Sequence, residues 1–144
     1  MPRPLPLATA LLGTLLFAQQ PDATKPPPAA TPMPSAGVGD EWGTGKWLVR
    51  HGDHVERMQQ GGIDLLVLGD GALVDPVARA ALDDAVAPLR TAYACERADR
   101  TQHVLWRIEN GACDGAFPRW IAVVVGAENL KAGDSAEAVE RGLQ

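Results

Sequence analysis

The stretch that most constrains the fold of this chain is residues 63–71, IDLLVLGDG. Before its Gly-Asp-Gly turn, Asp64 is the only polar residue, so the run predicts a strand buried on both faces, as in the middle of parallel α/β sheets. In open α/β folds, ligands bind just past the carboxyl ends of the strands, where this turn lies. Glycines on both sides of Asp70 allow the backbone to approach a neighbour closely. The candidate site therefore begins at Asp70 and Gly71.

Helices and strands are predicted to alternate along the rest of the chain. Apolar residues at helical spacing predict a helix over residues 46–60, ended by two glycines. Asp75 and Pro76 predict the cap and first turn of a helix over residues 76–86. Further on we expect a strand at 91–95 and then a helix at 100–110, opened by a capping box from Asp99 to Gln102. A strand at 120–125 and a loop at 127–129 follow. The segment from Asp134 to Glu137 is expected to cap a last helix. This alternation predicts a parallel sheet with right-handed crossovers.

The first forty residues do not resemble part of that domain. Residues 1–18 carry a single charge, Arg3, and an apolar run too short to span a bilayer as a stable helix. This pattern is typical of a secretory signal peptide and predicts a secreted or periplasmic protein. An uncleaved N-terminal anchor is the second interpretation, and a disordered cytoplasmic tail is the third.

Residues 19–39 are rich in proline and alanine and predict a disordered, extended linker. The folded domain is then expected over residues 40–144. The whole chain carries 13 Lys and Arg against 18 Asp and Glu, a net charge of −5. Without a basic stripe to neutralise phosphates, nucleic acid is not expected as a partner.

The cysteines and histidines do not predict a metal site. Cys95 and Cys113 lack the spacing of zinc or redox motifs, and they would either pair in an oxidising compartment or remain buried thiols. His51 and His54 lie three residues apart on a predicted helix, with no third ligand indicated. We expect neither a metal nor another cofactor.

The segment from Asp99 to Gly111, DRTQHVLWRIENG, is the most distinctive in the chain. Together with IDLLVLGD before Gly71 and VVVG before an Asn-containing loop, it resembles the SGNH (GDSL-like) hydrolases, in particular the platelet-activating-factor-acetylhydrolase-like esterases. The resemblance implies a three-layer α/β/α, flavodoxin-like sandwich with five parallel strands in the order 2-1-3-4-5. This sequence encodes about three of those strands.

The resemblance also implies site positions, and this sequence departs from the family at each of them. Gly71 stands where the family has its serine nucleophile, and Ala98 stands where a glycine lends its backbone N–H to the oxyanion. Glu128, with Asn129 beside it, stands where an asparagine completes the oxyanion hole. The family's Asp-x-x-His block, which supplies the base, has no counterpart before Gln144. The sequence is therefore expected to be a degenerate, C-terminally truncated member.

Two other residues are possible substitutes for the missing groups. Asp70 would have to act as a nucleophile or a base, but an aspartate in such a turn usually accepts hydrogen bonds from nearby backbone N–H groups. His103 lies near a helix start, where the family tolerates a histidine without a catalytic duty. An intact esterase mechanism is therefore not expected, because a nucleophile, a base and an oxyanion site are all required.

Three functions remain open at this point. The favoured one is an exported pseudoenzyme or remnant without turnover. A second is a module that binds a small acyl ester or an acetylated carbohydrate near Gly71, Ala98 and Glu128 without cleaving it. The third is an active esterase completed by a partner. In each case the apolar strand at 120–125 would lie at the sheet edge, and we expect either self-association through it or a marginally stable domain. No membrane span is expected in the mature chain.

Overall fold

The computed structural model describes residues 29–36 and 43–144 of the chain. The predicted signal peptide, the first part of the predicted linker and residues 37–42 therefore lie outside the described residues. The elements in chain order are helix α1 (Thr44–Gln59), strand β1 (Leu65–Gly69), a 3-10 turn (Gly71–Val74), α2 (Pro76–Ala85), β2 (Thr91–Cys95), α3 (Thr101–Glu109), β3 (Trp120–Val124), α4 (Ala127–Lys131) and α5 (Ala136–Arg141).

The sheet is parallel and has the order β2-β1-β3, which confirms the predicted fold class of a partial α/β sandwich. All five residues of β1 are buried. Their side chains alternate between two cores, because successive residues of a strand face opposite sides of the sheet. One core joins Leu66 and Leu68 to α1 and α3 through Met58 and Val104. The other joins Leu65, Val67 and residues of α2.

The ends of the helices follow local chemistry, with some differences from the predictions. The Asp75 carboxylate accepts hydrogen bonds from Val77 N and Ala78 N, as expected of an N-cap. Asp99 does not cap α3. Instead the Arg100 N–H donates to Nδ1 of His103, 3.0 Å away, and this bond closes the first turn.

The predictions for the last eighteen residues need two corrections. The expected loop at 127–129 is the short helix α4, which begins directly after Gly126 in the left-handed conformation (φ 111°). The last helix is capped by Ser135, whose hydroxyl accepts from Ala138 N, and not by Asp134. Asp134 accepts instead from Nδ2 of Asn129, because that amide lies inside the fold and needs an acceptor.

Part of the predicted linker lies against the domain. In residues 29–36, which we call the N-terminal segment, Ala29 and Ser35 are buried. The Met33 N–H donates to the carbonyl of Gln102 at 3.2 Å. A passive, disordered linker was expected here, whereas residues 29–36 include one backbone hydrogen bond to α3 and two buried residues.

Candidate active site

The three positions singled out from the sequence lie together at the carboxyl ends of the strands. A Cβ atom placed on Gly71 would lie 2.6 Å from the backbone nitrogen of Ala98 and 3.2 Å from Cγ of Glu128. These residues line a crevice of about 400 Å³ whose other walls are Val74, Asp75, Pro76, Arg97 and Lys131. The fold thus forms the crevice where parallel α/β sheets bind their ligands.

Gly71 leaves no room for a side chain. Its N–H donates to the carbonyl of Asp99 at 3.1 Å, which draws the loop after β2 onto the turn after β1. Because the atom nearest the Cβ position of Gly71 belongs to the backbone of Ala98, it cannot move aside as a flexible side chain would. A serine at this position would require the loop to shift.

Asp70 is fully engaged with the backbone. It is 1 % exposed, its Oδ1 accepts from Ala72 N at 2.9 Å, and its Oδ2 accepts from Glu128 N at 3.2 Å. Both carboxylate oxygens therefore join the 3-10 turn to the start of α4. This arrangement agrees with the hydrogen bonding expected of an aspartate in such a turn.

Ala98 adopts the left-handed conformation with φ 59°, the one described non-glycine residue to do so. An L-residue pays a steric cost there that glycine does not, since its Cβ approaches the following carbonyl. The resemblance implies a glycine at this position, and the left-handed backbone explains why glycine is favoured there. The alanine retains the backbone conformation at some cost in strain.

Glu128 brings an acceptor to the crevice at the position where the resemblance implies a donor. Its carboxylate pairs with Nζ of Lys131 at 2.6 Å, and this contact raises the pKa of Lys131 above its ordinary value. A carboxylate cannot donate a hydrogen bond to a developing oxyanion and repels its charge. Asn129, which can donate, is fully buried and faces the other way, since its Oδ1 accepts from Thr101 N and Oγ1 and its Nδ2 donates to Gln102 and Asp134.

His103 lies in the wall of a second cleft, of about 540 Å³, which shares Ala98 and Glu128 with the crevice and is closed on one side by the N-terminal segment. Burial, then the charges of Arg100 and Arg107, lower the pKa of His103 to about 4. Its Nδ1 is already the acceptor for Arg100 N. The imidazole is therefore neutral and serves to cap α3.

A buried ion pair beside the crevice was not found from the sequence. Asp99 and Arg107 are both fully buried and lie 2.9 Å apart (Oδ2 to Nε), and Nε1 of Trp47 donates to Oδ1 of Asp99 at 2.6 Å. Burial raises the pKa of Asp99 to about 6 against the opposing effects of Arg107 and Trp47. The sequence signal for this ion pair was two opposite charges eight residues apart, within the segment that most resembles the hydrolase family.

The other histidines hold α1 in place. Nε2 of His51 donates to the carbonyl of Asn110 at 2.8 Å, and Nε2 of His54 lies 3.2 Å from Glu96. Burial would raise the pKa of Glu96, but His54 and then Arg50 keep it below its ordinary value. Within residues 29–36 and 43–144, no cluster of His, Cys, Asp and Glu is arranged to hold a metal ion.

Both cysteines are free thiols, so the alternative of unpaired residues applies in this structure. Burial raises the pKa of Cys95 to about 12, which leaves it an inert thiol inside the sheet. Of the helices that the structure describes, none is long and apolar enough to cross a bilayer.

Comparison with known proteins identifies the relatives of this chain. A platelet-activating factor acetylhydrolase IB subunit beta homolog of Drosophila melanogaster is 34% identical over 113 residues, which cover 78% of this chain and 47% of that protein. The human alpha1 subunit is 32% identical over 118 residues (81% and 48%), and the Gallus gallus alpha2 subunit is 30% identical over 117 residues (81% and 49%). These homologues are SGNH (GDSL-like) hydrolases. No family model matches the chain.

The chain spans about half the length of the curated relatives that it matches. The relatives support a hydrolase-like fold for the matched part of the chain. What the relatives' names say of acetyl ester hydrolysis applies to those proteins.

Proposed function

We propose that this chain is a catalytically inactive SGNH hydrolase homologue, an exported pseudoenzyme. The observation that carries the proposal is the closed space at Gly71. A nucleophile would have to stand there, and the backbone of Ala98 lies 2.6 Å from the position of the first side-chain atom. Asp70, the neighbouring carboxylate, has both oxygens bound to backbone N–H groups.

The groups that activate a nucleophile are also committed elsewhere. The chain has three histidines, and each holds a partner outside the crevice: Asn110, Glu96 or the Arg100 N–H. The oxyanion position carries the Glu128 carboxylate in place of a donor. Nucleophile, base and oxyanion site act as a unit, so losing all three leaves little more than binding.

The test is turnover of an activated acetyl ester such as p-nitrophenyl acetate by the purified full chain. We expect a rate no higher than that of the buffer with an equal amount of unrelated protein. The human alpha1 relative, named an acetylhydrolase, serves as the positive control. Turnover that Asp70→Asn abolishes while the variant remains folded would overturn the proposal. Turnover that appears on adding a partner chain would instead support the alternative of an esterase completed by that partner.

A second candidate function is binding without cleavage. It is favoured by the crevice of about 400 Å³ that remains open beside Gly71 and is lined by both charged and apolar groups. Titration calorimetry with an acetylated monosaccharide and a short acyl ester tests it. The larger side chain in Lys131→Trp fills the mouth of the crevice, whereas Lys131→Gln leaves it open. Binding heat that disappears in the first variant and persists in the second would support a binding module. If neither ligand gives binding heat, the binding function is contradicted, and the proposal of an inactive homologue is unaffected.

Export is part of the proposal because residues 1–18 have the composition of a signal peptide. Expression of the full chain in a bacterium, followed by fractionation and mass measurement, tests it. A periplasmic product shortened near Ala18 supports export with cleavage. A full-length product in the membrane fraction supports the anchor, and one in the cytosol contradicts export.

A further inference from the structure

The open edge of β3 is an exposed apolar strip on the described part of the chain. Trp120, Ile121, Val123 and Val124 are between 44% and 57% exposed, whereas every residue of β1 beside them is buried. Trp120 and Val124 project on the face of α2, and Ile121 and Val123 project on the opposite face, because Ala122 and Val125 pack in the two separate cores. Both faces of this strand are therefore apolar, and no charge interrupts it.

The direction of the backbone groups on β3 is fixed by its pairing with β1. Trp120 N donates to the carbonyl of Asp64, and the carbonyl of Val124 accepts from Asp70 N. Even-numbered residues thus turn their N–H and C=O groups toward β1. Because successive residues point to opposite edges, Ile121 and Val123 present theirs outward, toward a strand that is not part of the described structure.

These outward groups fit a second copy of the same strand. In an antiparallel pair with its dyad at Ala122, Ile121 faces Val123 of the second copy, and both residues direct their N–H and C=O groups at each other. Trp120 then faces Val124, so a large side chain lies opposite a small one. Every cross-strand pair is apolar, and no like charges are opposed. The small Ala122 at the dyad suits the closer, non-hydrogen-bonded pair.

From this register we propose that β3 pairs with β3 of a second copy across a dyad at Ala122, forming a continuous six-stranded sheet. A two-fold pairing uses the same edge on both copies and closes after two chains. Pairing of β3 with β2 of another copy would extend into an open filament instead. The isologous dimer covers the apolar edge and leaves β2 as the outer strand on each side.

The first experiment measures the mass of the full chain by sedimentation equilibrium over a hundredfold range of concentration. We expect the mass of two chains at high concentration, with dissociation on dilution. Val123→Pro removes an outward N–H without touching the pairing to β1, and it should give the mass of one chain. Val123→Thr is the matched control, because it keeps both the β-branch and the N–H, and it should remain dimeric.

A second experiment tests the register with substitutions that keep every backbone N–H of β3. Across the dyad, the two Ala122 Cα atoms would lie about 4.5 Å apart, within the range of a disulfide. Ala122→Cys should therefore form a covalent dimer on mild oxidation. Val124→Cys is the control, since its counterpart lies four residues away along the strand, roughly 13 Å. The unsubstituted protein is the control for any cross-linking through Cys95 or Cys113.

Several outcomes would overturn the proposal. A single-chain mass at every concentration would mean that another occupant covers β3, or none does. Association that Val123→Pro leaves unchanged would place the contact elsewhere in the chain. Open-ended assemblies, or equal cross-linking of the cysteine variants at 122 and 124, would exclude the two-fold register.

Discussion

At the scale of single residues, position 71 is decisive. Glycine has no side chain there, and the surrounding backbone leaves no space for one. The loop after β2 crosses the Gly71 turn so closely that the backbone nitrogen of Ala98 lies 2.6 Å from the place where a Cβ atom would stand. The sequence singled out Gly71 because the resemblance implies a serine there. The structure adds that the loop after β2 lies against this position, so a hydroxyl placed there would not by itself form a nucleophile's site.

Gly71→Ser should therefore lower stability without creating an esterase. We expect a loss of about 1–3 kcal/mol, typical of overpacking, because the new Cβ meets the Ala98 backbone. Urea unfolding measures the loss, and hydrolysis of p-nitrophenyl acetate measures the activity. Gly71→Ala is the matched control and should lose as much stability, since it adds the Cβ without the hydroxyl. A stable, active Gly71→Ser would contradict both the expected steric clash and the proposal of an inactive homologue.

At the scale of elements, the packing of α1 depends on a polar contact between distant parts of the chain. Trp47 on α1 donates to Asp99 in the loop before α3, and its ring lies 4.2 Å beneath the guanidinium of Arg107. The same loop supplies Ala98 to the crevice. The contact that holds α1 on the sheet thus also positions one wall of the candidate site.

Trp47→Phe should destabilise the domain by about 1–3 kcal/mol, because the buried Asp99 carboxylate loses a donor that water cannot replace. Chemical denaturation gives the value. Trp106→Phe provides the comparison, since Trp106 also packs on Trp47, with ring centroids 5.2 Å apart, but is only partly buried. Equal losses in the two variants would show that ring packing, and not the hydrogen bond, is responsible.

The start of α2 offers a simpler test of local chemistry. Asp75→Ala should cost about 1 kcal/mol, because Val77 N and Ala78 N lose their acceptor. Asp75→Asn keeps an acceptor oxygen and should retain most of the stability. Thermal unfolding of the three proteins separates these outcomes, and an unchanged midpoint in Asp75→Ala would mean that the cap contributes nothing.

At the scale of the whole molecule, two buried titrating groups have opposite effects on stability below neutral pH. Burial lowers the pKa of His103 to about 4 from an ordinary 6.5. Burial also raises the pKa of Asp99 to about 6 from 3.8. The contribution of His103 is therefore complete above pH 6.5 and is lost as pH falls toward 4. The contribution of Asp99 is complete below pH 3.8 and is lost as pH rises toward 6.

His103→Asn should isolate the contribution of His103 to the pH dependence of stability, because Asn keeps an acceptor for Arg100 N but does not titrate. The stability difference between wild type and variant should grow by about 3 kcal/mol as pH rises from 4 to 6.5. In the variant, Asp99 still lowers the stability as pH rises, whereas His51, whose pKa is also lowered by burial, acts in the opposite direction. Urea unfolding at stepped pH measures both slopes. Parallel curves, or an imidazole that titrates near 6.5 by NMR, would contradict the prediction.

Much of the architecture was predictable because its signals are local. The apolar run of β1, the cap of α2 and the alternation of helices with strands come from side chains acting on their own segment, and the three-stranded parallel sheet follows from them. The cap of α3 was misassigned, because Asp99 is withdrawn from its own helix by Trp47 and Arg107. The role of Asn129 was likewise set by partners in α3 and beyond.

A parallel α/β sheet and the absence of a serine at position 71 follow from the residues alone, because hydrophobic patterning and residue identity belong to the sequence. Three features required the folded arrangement: the Ala98 backbone crowds Gly71, both Asp70 oxygens accept backbone hydrogen bonds, and β3 turns two amides outward. Each of these depends on distances between segments far apart in sequence, which are set when the loops after the three strands meet at one edge of the sheet.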